Sequence, residues 1–140
     1  MNYTFKENQL DYETYYILRK SVKWNNWSRE QAEIALGNSY YTVTVFDNKV
    51  PIGMGRAVGD GIYFMIMDIV VKPEYQRMGI GSTIIHMLLE HIEKNMCVGS
   101  RVSVQLISEP DKEQFYIKQG FKLIPHEYCG CLLYTSPSPR

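Results

Sequence analysis

Met67-Asp68-Ile69-Val70-Val71-Lys72-Pro73-Glu74-Tyr75-Gln76-Arg77-Met78-Gly79-Ile80-Gly81-Ser82 holds in succession a strand, a stop, two glycines and the start of a helix. The β-branched Ile69, Val70 and Val71 favour extended backbone, and Pro73, with no amide to donate, ends it. From Ile80 onward an apolar repeat of helical period begins, so the stretch predicts a buried strand, a short turn and a helix. The first amides of a helix have no intrahelical partner, and the helix dipole adds partial positive charge at that end. With no side chain at Gly79 or Gly81, an anion can come close to those amides. Gln76, Arg77, Met78, Gly79, Ile80, Gly81 and Ser82 therefore form a candidate phosphate cradle. The plainer alternative is a strand-to-helix turn with a glycine cap.

Spacing separates the phosphate ligands. A nucleotide-hydrolysing P-loop needs Lys after its last glycine, and none follows Gly81. A dinucleotide fingerprint needs a third glycine where Ile84 stands. What remains, Gln76-x-x-Gly79-x-Gly81 after a Val-x-Pro strand end, resembles the pyrophosphate-binding motif of the GCN5-related N-acetyltransferases, whose loop holds the pyrophosphate of acetyl-CoA. A second segment, Phe115-Tyr116-Ile117-Lys118-Gln119-Gly120-Phe121, resembles the Phe-Tyr-x-x-x-Gly-Phe that follows the loop in that family. Order and distance agree as well, and the joint match covers residues 62–124. Two linked motifs in the right order are more specific than either alone.

The whole chain sets bounds on partners. Its 140 residues suit about one domain. A hydrophobic content of 45% with 21% charged residues places it among globular rather than disordered chains. Fifteen Lys and Arg balance fifteen Asp and Glu, so no basic excess invites nucleic acid or an anionic membrane, and neither is an expected partner. Cys97, Cys129 and Cys131 make no metal spacing with His86, His91 and His126, and an odd number is a poor disulfide framework. No metal is expected, and a reducing compartment, by default the cytoplasm, is. There is no apolar run long enough to span a bilayer and no signal-peptide pattern at the start.

Read in order, residues 3–6 alternate as a first strand, and residues 11–22 have helical spacing. Ser28 and Gln31 make a capping box for a second helix that stops at Gly37-Asn38. Trp24 and Trp27 lie in the loop between, either as core lids or as pocket lining. Residues 40–46, 50–58 and 62–71 read as three antiparallel strands, the last two joined at Asp60-Gly61, and Gly53 and Gly55 mark bulge or close-approach positions. The following helix has Ile84, Ile85, Leu88, Leu89 and Ile92 on one face. Residues 101–107 form a strand parallel to 62–71 through that crossover. Residues 112–119 form a helix stopped by Gly120, and residues 121–124 a further strand.

These elements predict a mixed α/β fold: a central, mostly antiparallel, splayed sheet with flanking helices, which the resemblance identifies with the acyl-CoA N-acyltransferase fold. One domain over 1–134 is expected. The end departs from the family, which closes on another strand. Residues 132–134 can pair at most weakly, and 135–140, with two prolines among serines, read as a loose tail.

The resemblance implies acetyl-CoA as cosubstrate and direct transfer of its acetyl group to a primary amine of a small molecule or protein, with no cysteine carrier. Ile69, Val70 and Val71 then offer main-chain donors to the pantetheine and the thioester carbonyl, which requires an open strand edge. An alkylammonium of pKa about 10.4 must lose a proton, and Asp68 is the nearest carboxylate in sequence; it serves as base or holds a neighbouring loop. Tyr116 either donates to the departing thiolate or packs its helix. A homodimer is left open, and the alternative function is a non-catalytic acyl-CoA sensor or interaction module.

Overall fold

In the computed structural model, which describes residues 3–124, hydrophobic alternation sets the sheet. Strands β1 (Tyr3–Glu7), β2 (Tyr41–Asp47), β3 (Val50–Gly59) and β4 (Tyr63–Val71) pair antiparallel in chain order, and β5 (Ser103–Gln105) joins β4 in parallel. The β3–β4 turn closes on Asp60, whose carboxylate accepts the amides of Ile62 and Tyr63, both at 2.9 Å. Helix α1 (Tyr12–Ser21) starts where Asp11 accepts the Thr14 amide at 2.9 Å, and α2 (Arg29–Gly37) where Ser28 accepts the Gln31 amide at 3.2 Å. Helix α3 (Ile80–Lys94) follows the glycine loop. The mixed α/β fold with a mostly antiparallel sheet is thus the one expected.

The chain divides into two compact units, Met1–Ile107 and Ser108–Arg140. In the first, both sheet faces are covered. Met54 and Val70 face α1 and α2, where they pack with Leu10, Tyr15, Leu18 and Ala32. Gly53 and Gly55, one residue out of step with Met54, face α3, and so do their cross-strand partners Val45 and Val43. Ile84, Ile85, Leu88 and Ile92 of α3 are fully or almost fully buried on that side, while Leu89 is half-buried.

Beyond Pro110–Lys112, a 3₁₀ turn, the second unit contains α4 (Glu113–Lys118). Its end is a Schellman closure: the Phe121 amide reaches the Tyr116 carbonyl at 3.2 Å, the Gly120 amide reaches that of Ile117 at 3.0 Å, and Gly120 has φ +102°. Tyr116 and Phe121 meet edge to face with centroids 6.2 Å apart, the hydrophobic contact that accompanies this motif. The Tyr-x-x-x-Gly-Phe spacing therefore has a local physical origin.

Two expectations need correction, and a third, the short turn after β4, gains detail. Strand β5 has three residues rather than seven, because β4 bends at a bulge and carries its second half away from that partner. Residues 121–124 form no strand, since the Phe121 amide is spent on the helix closure. The turn after β4 contains a 3₁₀ helix, Pro73–Tyr75. The expected pairing at 132–134 and the tail 135–140 lie outside the described residues, as do His126, Cys129 and Cys131.

Candidate active site

Register locates the bulge. Met54 pairs with Val70 and Arg56 with Met67, so two residues of β4, Asp68 and Ile69, stand opposite the single Gly55. Asp68 has φ +55°, a left-handed conformation that Asp adopts more readily than most residues. In a regular strand Asp68 would face away from Met67; the bulge turns it to the α1 side, while the Ile69 side chain goes under α3 against Gly55.

On the α1 side the carboxylate is enclosed. It accepts Arg19 Nη1 at 2.6 Å, Arg56 Nε at 2.7 Å and the Tyr15 hydroxyl at 3.0 Å, with only 7% of its side chain exposed. Burial, and then the Asp68 charge, push the Tyr15 phenol above its ordinary range, so it stays protonated and donates. Arg56 also donates to Ser39 Oγ at 3.2 Å, and Arg19 to the Asn25 carbonyl through Nη2 at 2.6 Å and Nε at 3.2 Å. The Arg19 guanidinium lies 5.6, 5.1 and 5.7 Å from the ring centroids of Tyr15, Trp24 and Trp27. Sequence reasoning missed Arg19, Arg56 and Tyr15. A signal was present: Asp68 and Arg56 are isolated charges in adjacent apolar strands, and buried charges must pair.

On the other side of the bulge β4 is open. Strand β5 pairs only with Tyr63, Phe64 and Met65, so residues 66–71 have no strand on that edge among the described residues. The Lys72 amide donates to the Ile52 carbonyl at 2.8 Å across β3, so by alternation the backbone groups of Val71 face the open edge. Val70 pairs with Met54, and its side chain is in the α1 core. Of the three expected donors, Val71 is thus the one that ladder parity turns outward, while Ile69 belongs to the bulge.

The loop at 72–79 is fastened to the Val71 end of this edge and to β2 and β1. Gln76 Nε2 donates to the Val71 carbonyl at 2.9 Å, the Tyr75 hydroxyl to Asp47 at 2.7 Å, and the Tyr3 hydroxyl to Met78 Sδ at 3.4 Å. Arg77 and Gly79 both have positive φ, +67° and +83°. Gly79 is the N-cap of α3 and offers no side chain to the first amides; its carbonyl accepts the Thr83 amide at 3.1 Å and hydroxyl at 3.0 Å. Ile80 is buried and anchors the helix start, while Gly81 and Ser82 are half-exposed in the first turn. The structure therefore brings together the glycine loop, the start of α3 and the outward edge at Val71, but turns Asp68 to the opposite side. Gln76 braces the loop through its side chain.

In the second unit Tyr116 is half-buried on α4. Burial first, and the charge of Glu109 second, push its phenol up to about 12. Among the described residues no group of His, Cys, Asp and Glu is placed to hold a metal ion, and no helix is long and apolar enough to cross a membrane.

Residues 11–130 match the family described as the acetyltransferase (GNAT) domain. An uncharacterized N-acetyltransferase, ycf52, of Pyropia yezoensis is 30% identical over an alignment of 119 positions that covers 81% of this chain; the chain spans 66% of that relative's length. A solved probable acetyltransferase of unknown function from methicillin-resistant Staphylococcus aureus is 31% identical and superposes with a TM-score of 0.85, over 96% of this chain and 100% of the other. A GNAT-family acetyltransferase from Streptococcus pneumoniae TIGR4 is 28% identical with a TM-score of 0.80, over 98% of this chain and 100% of its own.

Proposed function

This chain belongs to the GNAT acetyltransferase family, and we propose on that premise that it transfers the acetyl group of acetyl-CoA directly to a primary amine of a small molecule or protein. The observation that carries the reading is the open edge of β4 running into the uncapped, glycine-started N-terminus of α3. The amides at the start of α3 suit a pyrophosphate, and the outward backbone of Val71 suits an amide-rich pantetheine arm. Acetyl-CoA, as substrate, brings an activated thioester. The match over 11–130 supports a single acetyltransferase domain made of both units.

Asp68 has the holding role rather than that of base. Both of its oxygens accept charge-assisted bonds from arginines, and taking up a proton would weaken those bonds in a buried setting. The acceptor amine then loses its proton to water. Tyr116, in the family's motif, serves as hydrogen-bond donor to the departing thiolate. A phenol raised to about 12 stays protonated at neutral pH. Against a thiol of pKa about 8.5, full proton transfer is unfavourable by roughly 10³, so it stabilises the thiolate by donation.

Thiol release from acetyl-CoA, followed with a panel of small amines, polyamines and peptides, tests the reading. Amine-dependent release supports it. Calorimetric binding of acetyl-CoA without release to any amine would make the chain a sensor instead.

A further inference from the structure

The enclosure of Asp68 does more than neutralise a buried charge. Arg56 fixes it from β3 and, through Ser39, from the segment between α2 and β2. Arg19 grips it from α1 and extends the grip to the Asn25 carbonyl, in the middle of the loop 22–28 that joins α1 to α2. The guanidinium is planar, 11% exposed and lies against the rings of Tyr15, Trp24 and Trp27, so it has little freedom to absorb a shift at either end. Asp68 is itself one of the two bulge residues, and its backbone belongs to the open stretch of β4, residues 66–71, on which the proposed acetyl-CoA site rests.

We infer that Arg19 and Asp68 are positioning residues that link the tryptophan loop, residues 22–28, to the β4 bulge, so that acetyl-CoA bound along the open edge of β4 tightens that loop. The inference rests on the acetyl-CoA reading above. The link has two acceptors, the Asp68 carboxylate and the Asn25 carbonyl, and one donor group that reaches both. A lysine at 19 keeps the charge but presents a compact ammonium on a flexible stem, and does not bridge the two with a planar fork.

The chain's two tryptophans, Trp24 and Trp27, both lie in this loop, so tryptophan emission reads the loop alone. The full chain is titrated with acetyl-CoA by calorimetry, and acrylamide quenching of the emission is measured with and without saturating acetyl-CoA. In the unaltered protein, quenching is expected to fall on saturation. In Arg19→Lys, and from the other end in Asp68→Asn, the change should shrink about five-fold or more in variants whose circular dichroism is native. Ser39→Ala, which removes the arm from Arg56 to Ser39 and the bond from the Ser39 hydroxyl to the Ala35 carbonyl but leaves Arg19 and Asp68 in place, should keep it. Acetyl-CoA binding with no change in quenching in the unaltered protein overturns the inference, and needs no variant to do so. An equal change in Arg19→Lys and Asp68→Asn also overturns it; in both cases the acetyl-CoA reading stands. No calorimetric binding in the unaltered protein overturns that reading, and the inference with it.

Discussion

Gly55→Ala places a methyl group where α3, β3 and the β4 bulge come together. A Cβ there would lie 2.5 Å from Ile84 Cγ2, 2.6 Å from Ile69 Cδ1 and 3.2 Å from Leu88 Cδ1, against an ordinary carbon contact of about 3.5–4.0 Å. Ile84 and Leu88 are fully buried and have nowhere to go without moving α3, whereas the half-exposed Ile69 can rotate. Overpacking of this kind costs about 1–3 kcal/mol, and the loss of unfolded-state freedom on replacing glycine returns about 0.4–1 kcal/mol. The net expectation is destabilisation by about 1–2 kcal/mol. With an unfolding entropy of about 2.1 cal/mol/K per residue, the 140 residues give about 0.3 kcal/mol/K, so Tm falls by about 3–7 °C. Differential scanning calorimetry measures it. Gly37→Ala is the control: Gly37 ends α2 with nothing within 4 Å of its Cβ position, so that variant should gain a few tenths of a kcal/mol. A Tm for Gly55→Ala equal to or above that of the unaltered protein would refute the close approach of α3 to the bulge.

The remaining predictions bear on the site. Gly79→Val forces a β-branched residue to φ +83° in otherwise open space, so its cost of about 1–2 kcal/mol should appear as a five- to thirty-fold loss of acetyl-CoA affinity by calorimetry. Unchanged affinity in a folded variant removes the cradle. Tyr116→Phe keeps the ring contact with Phe121 but loses the donor, so turnover should fall by about 10²- to 10³-fold with acetyl-CoA affinity retained; normal turnover makes Tyr116 a packing residue. In alkaline titrations followed by phenolate absorbance, the difference between the unaltered chain and Tyr116→Phe should be one phenol titrating near pH 12. Because that folded-state value lies above the ordinary 10.0, the stability it contributes is complete below pH 10 and is lost as the pH rises toward 12. A difference centred at pH 10 would mean that the phenol is exposed.

Much of this molecule could be read from local chemistry. Ser28 caps α2 as expected because a side-chain oxygen three residues ahead of a bare amide needs no tertiary help; Asp11, not singled out from the sequence, caps α1 by the same local rule. Gly120 stops α4 because only a glycine takes φ +102° easily, and Phe121 follows because the closure places it over Tyr116. Strand β5 was overestimated because alternation measures a tendency to extend, not the presence of a neighbour to extend along.

The sequence by itself determined what depends on near neighbours in the chain: the strand, glycine loop and helix at 67–82, the caps, the Gly-Phe stop and the family resemblance that two spaced motifs carry. Only the tertiary structure decided the face on which Asp68 stands. One extra residue in β4 reverses side-chain parity, and that reversal depends on the pairing with β3, on Gly55 leaving room for Ile69, and on two arginines from distant segments meeting one carboxylate. Pairing across 49 and 12 residues leaves no periodic trace in the chain, because the energy that selects it exists only once the strands and α1 have come together.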